Sequence, residues 1–367
     1  WFLPAVFSVL TFLIFLPGVL IADLPMSDVH LRYAPMAEEF AAGEWAYAFH
    51  PRIPPFLPVL GGCFVKLFGI SGFSGKVLLD ILLRHPQVRV TYVAANSTTG
   101  RVDEIWPEFL GRTSLVCHKY DQAQAVEACD LVFLALPHME SMKVAGALVK
   151  AGKKVVDLSA DYRLKRSSLY KKWYHGEHKD PKNLRKAVYG LPEMFRAKVK
   201  KAQLLSNPGC YPTAALLGLA PLMALRSGDV ASVVIDAKSG VTGAGKKVTE
   251  ALMYCGVNEN FKAYKVLQHQ HTPEIEQYLS IMAERPVVIA FVPHLLPIDS
   301  GILETIYVGM KENVSLSALH QLYRKFYKTE PFVRVLGPGV QPEIRHVVRT
   351  NFCDIGLAVS EDKRMVV

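Results

Sequence analysis

The residues best placed to do chemistry sit in one short run. Leu205-Ser206-Asn207-Pro208-Gly209-Cys210-Tyr211-Pro212-Thr213 leads into Ala214-Ala215-Leu216-Leu217-Gly218-Leu219-Ala220-Pro221-Leu222, which reads as a helix. The Pro-Gly turn delivers Cys210 to the helix N-terminus, where unbonded N–H groups and the positive end of the dipole favour thiolate over thiol. Thiolate is the nucleophilic form, so Cys210 is the candidate nucleophile and the thiol expected to alkylate first. Cys117, Cys129, Cys255 and Cys353 read as inert packed thiols. No C-x-x-C pair occurs among the six cysteines, so a zinc ribbon or thioredoxin-like redox site lacks support. Reduced thiols of a cytoplasmic enzyme are expected.

A thiolate needs a proton partner. Gln268-His269-Gln270-His271-Thr272-Pro273-Glu274 sets two histidines two positions apart, just before a Pro-Glu helix start. In an extended segment they share one face. A metal site would need third and fourth ligands at suitable spacing, which are missing here. General acid/base work by one histidine, with the other orienting substrate, is the better reading. Arg163 closes Val155-Val156-Asp157-Leu158-Ser159-Ala160-Asp161-Tyr162-Arg163, a strand and its C-terminal loop, where open α/β sheets bind ligands. It is a candidate anion contact, with an ordinary surface ion pair as the alternative. The loop Ser239-Gly240-Val241-Thr242-Gly243-Ala244-Gly245-Lys246 can approach nicotinamide or phosphates through Gly240 and Gly243. His294, in Pro293-His294-Leu295-Leu296-Pro297, reads as a packed loop residue.

The elements that must position these groups begin at Val65. Val65 to Phe68 reads as a strand, Gly69-Ile70-Ser71-Gly72-Phe73-Ser74-Gly75 as a turn, Lys76 to Arg84 as an apolar-faced helix and Arg89 to Ala95 as a second strand. This is the β-turn-α-β plan of a dinucleotide site, with Gly69, Ser71, Gly72, Phe73, Ser74 and Gly75 as cofactor contacts. The spacing is G-x-x-G-x-x-G rather than G-x-G-x-x-G. An NAD site places Asp or Glu after the second strand, whereas this chain has Asn96-Ser97-Thr98-Thr99-Gly100-Arg101. Ser97 and Arg101 suit a 2′-phosphate, so NADP is expected over NAD. Asp130 to Leu136 reads as a buried parallel strand that ends at the cofactor-binding candidate Pro137 and His138.

Composition bounds the rest. Hydrophobic residues make up 50% and charged residues 20%, with a formal net charge of +9. The lysines and arginines are scattered, with no arginine-rich arm, so a solvated basic surface suited to phosphorylated small molecules is expected rather than nucleic-acid binding. Residues 1–22 are apolar and uncharged, long enough to cross a bilayer at about 1.5 Å per residue. The chain opens on Trp1 rather than Met, so its start is expected to lie upstream. Residues 23–64, with Arg32-Tyr33-Ala34 and Pro54-Pro55, resemble the start of a membrane glycosyltransferase of the protein-mannosyltransferase type. A junction of two coding sequences is expected near residue 65. A membrane association is implied only through this segment.

From residue 65 the chain resembles the N-acetyl-gamma-glutamyl-phosphate reductase family. The resemblance is carried by Leu205 to Pro221, S-A-D-Y-R, Ala187-Val188-Tyr189-Gly190-Leu191-Pro192-Glu193, S-G-V-T-G-A-G, H-x-H-T-P-E-I, P-H-L-L-P and Thr350-Asn351-Phe352-Cys353-Asp354, in the family's order. It implies an α/β enzyme, with a Rossmann-type NADP-binding domain over 65–208 and an α+β substrate and dimerisation domain over 209–345. Residues 346–367 would return to the cofactor domain. It implies that Cys210 attacks an acyl phosphate and expels phosphate, and that NADPH then delivers hydride to the thioester. His271 would be the acid/base and His269 a partner to it. Arg163, Asn207 and Glu274 would bind substrate, and Asn351 would contact the nicotinamide. A homo-oligomer, dimer or tetramer, is implied. Three departures stand out. The first strand abuts unrelated sequence and is expected to be imperfect. Ser300 replaces the Arg of P-H-L-x-P-x-x-R-G. The family's closing strand and helix are expected beyond Val367. Aspartate-semialdehyde dehydrogenase and the carrier-linked aminoadipyl or glutamyl version are the alternatives within the class. A glycosyltransferase fragment and a non-catalytic NADP-binding protein are the alternatives outside it.

Overall fold

Runs of β-branched and aromatic residues alternate with helices over the first half of the chain, and this alternation builds a parallel sheet. The structure, a computed structural model, describes residues 63–367 except 128, 226–229, 247 and 361. The apolar segment 1–22 and most of the 23–64 segment lie outside the described residues. Among the described residues no helix is long and apolar enough to cross a membrane.

Strand β1 (Cys63–Phe68) is buried from Val65 onward, as a central parallel strand requires, with Lys66 the one charged residue in it. It pairs with β2 (Val88–Ala95) on one side and with β5 (Leu131–Leu134) on the other. Against the expectation of an imperfect strand, β1 is paired along both edges and carries one register shift, between Val65 and Lys66. Helix α1 (Phe73–Arg84) starts three residues earlier than the sequence indicates, because Gly72 already provides an extended N-cap. It buries Leu78, Leu79 and Leu82 and stops at His85, whose following Pro86 disfavours helical backbone. With β3 (Gly100–Arg101), β4 (Val116–Lys119), β6 (Lys154–Asp157), β7 (Val188–Tyr189) and β8 (Leu204–Ser206), the sheet runs β3-β4-β2-β1-β5-β6-β8-β7. Only the short β3 is antiparallel to its neighbour.

The second sheet packs on one central helix, α2 (Cys210–Met223), which is apolar on every side and buried along almost its whole length. Strand β9 (Val230–Ser239) lies between β11 (Ala290–Leu295) and β12 (Ile302–Met310), and β10 (Lys262–Ala263) flanks β11. Helix α3 (Thr272–Ala283) packs against α2 and adds Ile275, Tyr278 and Leu279 to the same core. Residues 346–367, expected to run back to the cofactor domain, lie with this second unit. There β14 (Cys353–Ile355) pairs with β13 (Val333–Val335), and β16 (Met365–Val366) bonds to β12 and to β15 (Val359–Ser360).

Candidate active site

Strand β8 ends at Ser206, and Asn207-Pro208-Gly209 turns the chain into α2 so that Cys210 is its first residue. Gly209 is the extended N-cap, and Thr213 closes the first turn by donating its hydroxyl to the Gly209 carbonyl at 2.9 Å. Cys210 is 8% exposed. Burial pushes its thiol up to about 12, while the Tyr211 amide and the Arg163 guanidinium pull it down less strongly. The helix end that favours thiolate is in place, and desolvation by burial opposes it. Cys255, expected to be a packed thiol, is instead exposed.

Glu274, fully buried on α3, holds the turn. Its Oε1 accepts the Gly209 amide at 2.9 Å and the Tyr189 hydroxyl at 2.7 Å, and its Oε2 lies 3.5 Å from Arg163 Nη1. Arg163 is 5% exposed, which sets aside the surface ion pair. Its Nε donates to the Asn207 carbonyl at 2.8 Å and its Nη2 to the Leu158 carbonyl at 2.9 Å. Asn207 is itself anchored, its amide donating to the Asp157 carbonyl at 2.8 Å. A Cβ at Gly209 would lie 2.6 Å from His271 Nε2 and 3.0 Å from Arg163 Nη1. Imidazole and guanidinium thus close on the backbone immediately before Cys210, and glycine leaves them room.

The histidines do not lie in an extended strand. Lys265 and Leu267 adopt positive φ, of 45° and 57°, and coil the segment into turns that end at the helix start. The two rings still meet, with centroids 4.8 Å apart. The His271 amide donates to His269 Nδ1 at 3.1 Å, so neutral His269 carries its proton on Nε2. His269 sits among Tyr211, Tyr264 and Phe291, and burial lowers its pKa to about 3. Burial also holds His271 well below the ordinary histidine value, and its Nδ1 is enclosed with no partner. Both imidazoles are neutral near pH 7, the form that accepts a proton.

At the glycine-rich turn two of the three glycines are demanded by packing. Gly69 has φ +94° and a Cβ there would sit 2.2 Å from the Ala135 carbonyl oxygen. One at Gly75 would sit 2.2 Å from the Gly69 oxygen. At Gly72 the nearest atom would be 3.6 Å away, so the chain itself does not require glycine there. That open backbone, at the N-terminus of α1 and flanked by Ser71, Phe73 and Ser74, fits a pyrophosphate. Trp106 braces the turn by donating its indole N–H to the Ile70 carbonyl at 2.9 Å, and Phe73 packs on it. Lys246 Nζ lies 3.8 Å from the Trp106 ring centroid, which brings the Gly240–Gly243 loop to the start of α1. Ser300 bonds across that loop, its hydroxyl 3.2 Å from that of Thr242.

Ser97 is exposed beyond β2. Arg101 is partly committed, with Nε and Nη2 donating to Asp103 at 2.9 and 2.6 Å. Pro137 is exposed in the loop after β5. Asn351 lines a cavity of about 200 Å³ shared with Thr213, Glu193 and Glu304, and Cys210, His269 and His271 do not line it. His294 is not a loop residue: it lies in β11 with Nδ1 3.1 Å from Asp236. Tyr189, Gln277 and Tyr278, which carry no role in the sequence pattern, also contact Glu274 or Arg163. The helical spacing of Glu274, Gln277 and Tyr278, which places them on one face, is the signal that would have found the last two.

A model of the semialdehyde dehydrogenase NAD-binding domain matches residues 64–202, and one of the semialdehyde dehydrogenase dimerisation domain matches residues 210–367. The N-acetyl-gamma-glutamyl-phosphate reductase of Geobacter metallireducens is 46% identical over 306 residues, 83% of this chain and 88% of that protein. That of Pelotomaculum thermopropionicum is 43% identical over 304 residues, 83% of this chain and 88% of its own. In fold the chain is similar to aspartate semialdehyde dehydrogenase II of Vibrio cholerae, with TM-score 0.60 at 13% identity over 83% of this chain and 91% of that one. It is equally similar to the Candida albicans aspartate semialdehyde dehydrogenase with NADP, with TM-score 0.60 at 13% identity over 83% of this chain and 92% of that one.

Proposed function

The chain belongs to the semialdehyde dehydrogenase family, among its N-acetyl-gamma-glutamyl-phosphate reductases, and we propose that it does this chemistry through a thioester on Cys210. The reaction is reduction of N-acetyl-gamma-glutamyl phosphate to N-acetylglutamate semialdehyde with NADPH and release of phosphate, a step of arginine biosynthesis. The observation that carries the residue assignment is the convergence of His271 Nε2 and Arg163 Nη1 on the Gly209–Cys210 turn.

Cys210 starts as a thiol. Neutral His271 takes its proton as sulfur bonds to the acyl carbon, the carbon–oxygen bond to phosphate breaks, and phosphate leaves. Positive charge on Arg163 and the positive end of the α2 dipole oppose the negative charge that develops on the acyl oxygen. Bound NADPH supplies the hydride to the acyl carbon. As the semialdehyde leaves, the carbon–sulfur bond breaks and His271 returns its proton to sulfur. His269, set in its aromatic box, orients His271, and Glu274 and Asn207 hold the turn and Arg163 in place. Gly69, Ser71, Gly72, Phe73, Ser74 and Gly75 would hold the pyrophosphate, and Ser97 and Arg101 the 2′-phosphate. Pro137, Gly240 and Gly243 would face the nicotinamide, whereas Asn351, in a cavity that Cys210 does not line, is left out of that contact.

The six free cysteines support a reducing compartment, the cytoplasm. A homo-oligomer joined through the second domain is in keeping with the dimerisation-domain match. An NADP-linked assay of the reverse reaction with phosphate tests the substrate. N-acetylglutamate semialdehyde should be oxidised and aspartate semialdehyde left alone, and the opposite preference overturns the reading.

A further inference from the structure

Arg163 belongs to the loop after β6, in the first domain, yet its backbone is held by the second. Its carbonyl oxygen accepts the Tyr278 hydroxyl at 3.0 Å and Gln277 Nε2 at 3.0 Å. The same Gln277 uses Oε1 to accept the Lys165 amide at 2.8 Å, two residues further along. Glu274, Gln277 and Tyr278 stand at i, i+3 and i+4 on α3, on one face. Tyr278 is buried, and its ring stacks on Tyr189 with centroids 3.6 Å apart, which fixes the direction of its hydroxyl. One helix face therefore grips the Arg163–Lys165 backbone at three points and the guanidinium at a fourth.

We propose that Gln277 and Tyr278 are positioning residues for the reaction. They clamp the Arg163–Lys165 backbone of the first domain onto α3, and so hold the Arg163 guanidinium over the Gly209–Cys210 turn. This rests on the reading of Arg163 as the group that works beside Cys210. Neither side chain reaches the turn itself. They act through Arg163, and their effect on the rate exists only while Arg163 is there to be positioned.

A double-mutant cycle on the full chain tests this. Tyr278→Phe keeps the stacked ring and removes one donor, and Gln277→Ala removes both contacts of the amide. Each is made in the natural background and in Arg163→Lys, with kcat, KM and NADPH affinity measured. In the natural background each should lower kcat about 10-fold through misplacement of the guanidinium, with NADPH affinity unchanged. Arg163→Lys alone should lose about 100-fold. In that background each added substitution should cost less than about 2-fold. Equal losses in both backgrounds overturn the proposal, because the residues then act independently of Arg163. If Arg163→Lys is slow while Tyr278→Phe and Gln277→Ala run at the natural rate, the proposal alone fails. If Arg163→Lys itself runs at the natural rate, the reading of Arg163 beneath it fails as well.

Discussion

Glu274 Oε1 accepts the amide proton of Gly209 at 2.9 Å, so a carboxylate on one helix fixes the residue that caps another. The same carboxylate faces buried Arg163. Glu274→Ala leaves the guanidinium without that partner and frees the Gly209 amide, which should destabilise the fold by about 3–5 kcal/mol. Glu274→Gln keeps an acceptor for Gly209 and Tyr189 and should lose less. Urea midpoints of the three proteins check this. An alanine variant within about 1 kcal/mol of the natural protein contradicts the role.

The glycine turn separates folding from cofactor binding. Gly69→Ala meets both a positive φ and a carbonyl oxygen 2.2 Å away. The backbone term alone is worth about 1–3 kcal/mol, so this variant should fold poorly. Gly72→Ala meets nothing nearer than 3.6 Å and should fold like the natural protein. It should nonetheless bind NADPH at least about 10-fold more weakly, because the methyl group stands where the pyrophosphate approaches. Fluorescence titration with NADPH decides, and unchanged affinity in folded Gly72→Ala removes the turn from the cofactor site.

The buried histidines set a direction for pH. His269 falls from an ordinary value near 6.5 to about 3 on burial, so the unfolded chain binds a proton that the folded chain refuses. Stability is complete above pH 6.5 and declines as pH falls from there toward 3, by roughly 1.4 kcal/mol per pH unit for one histidine. His269→Gln should flatten the loss of urea midpoint between pH 7 and 4, and an unchanged slope would show that this ring is not the cause. His271 is lowered by burial too, so the acid limb of kcat/KM should lie below 6.5.

Thiol reactivity should follow burial rather than the helix end. At low excess of iodoacetamide near pH 7, exposed Cys255 should be alkylated before Cys210, whose thiol burial raises to about 12. Peptide masses over time give the order. Cys210 modified first would mean that the helix end outweighs desolvation after all.

The position of Cys210 was legible because Pro208-Gly209 ahead of an unbroken apolar run has few conformations other than a turn into a buried helix. The glycine turn was legible for the same kind of local reason. Its first helical residue was not, because the extended N-cap falls on Gly72 and Phe73, Ser74 and Gly75 already turn as helix, which their residue types do not announce. The H-x-H segment defeated a local reading, since positive φ at Lys265 and Leu267 is invisible in residue types that usually avoid it. His294 lies in a strand because its segment pairs with β9, more than fifty residues away, and Pro293 is accommodated within that pairing. The resting state of Cys210 depends on burial and on Arg163 and Glu274, which come from distant segments. No spacing rule reports desolvation.

The thioester on Cys210 is tested most directly by phosphate release from N-acetyl-gamma-glutamyl phosphate in a rapid-quench experiment without NADPH. The natural protein should release about one phosphate per active site in a fast burst as acyl group transfers to sulfur. Cys210→Ser should give no burst, because a serine hydroxyl is hardly ionised near pH 7, while its affinity for NADPH stays unchanged. A Cys210→Ser burst of natural rate and amplitude would contradict the covalent mechanism.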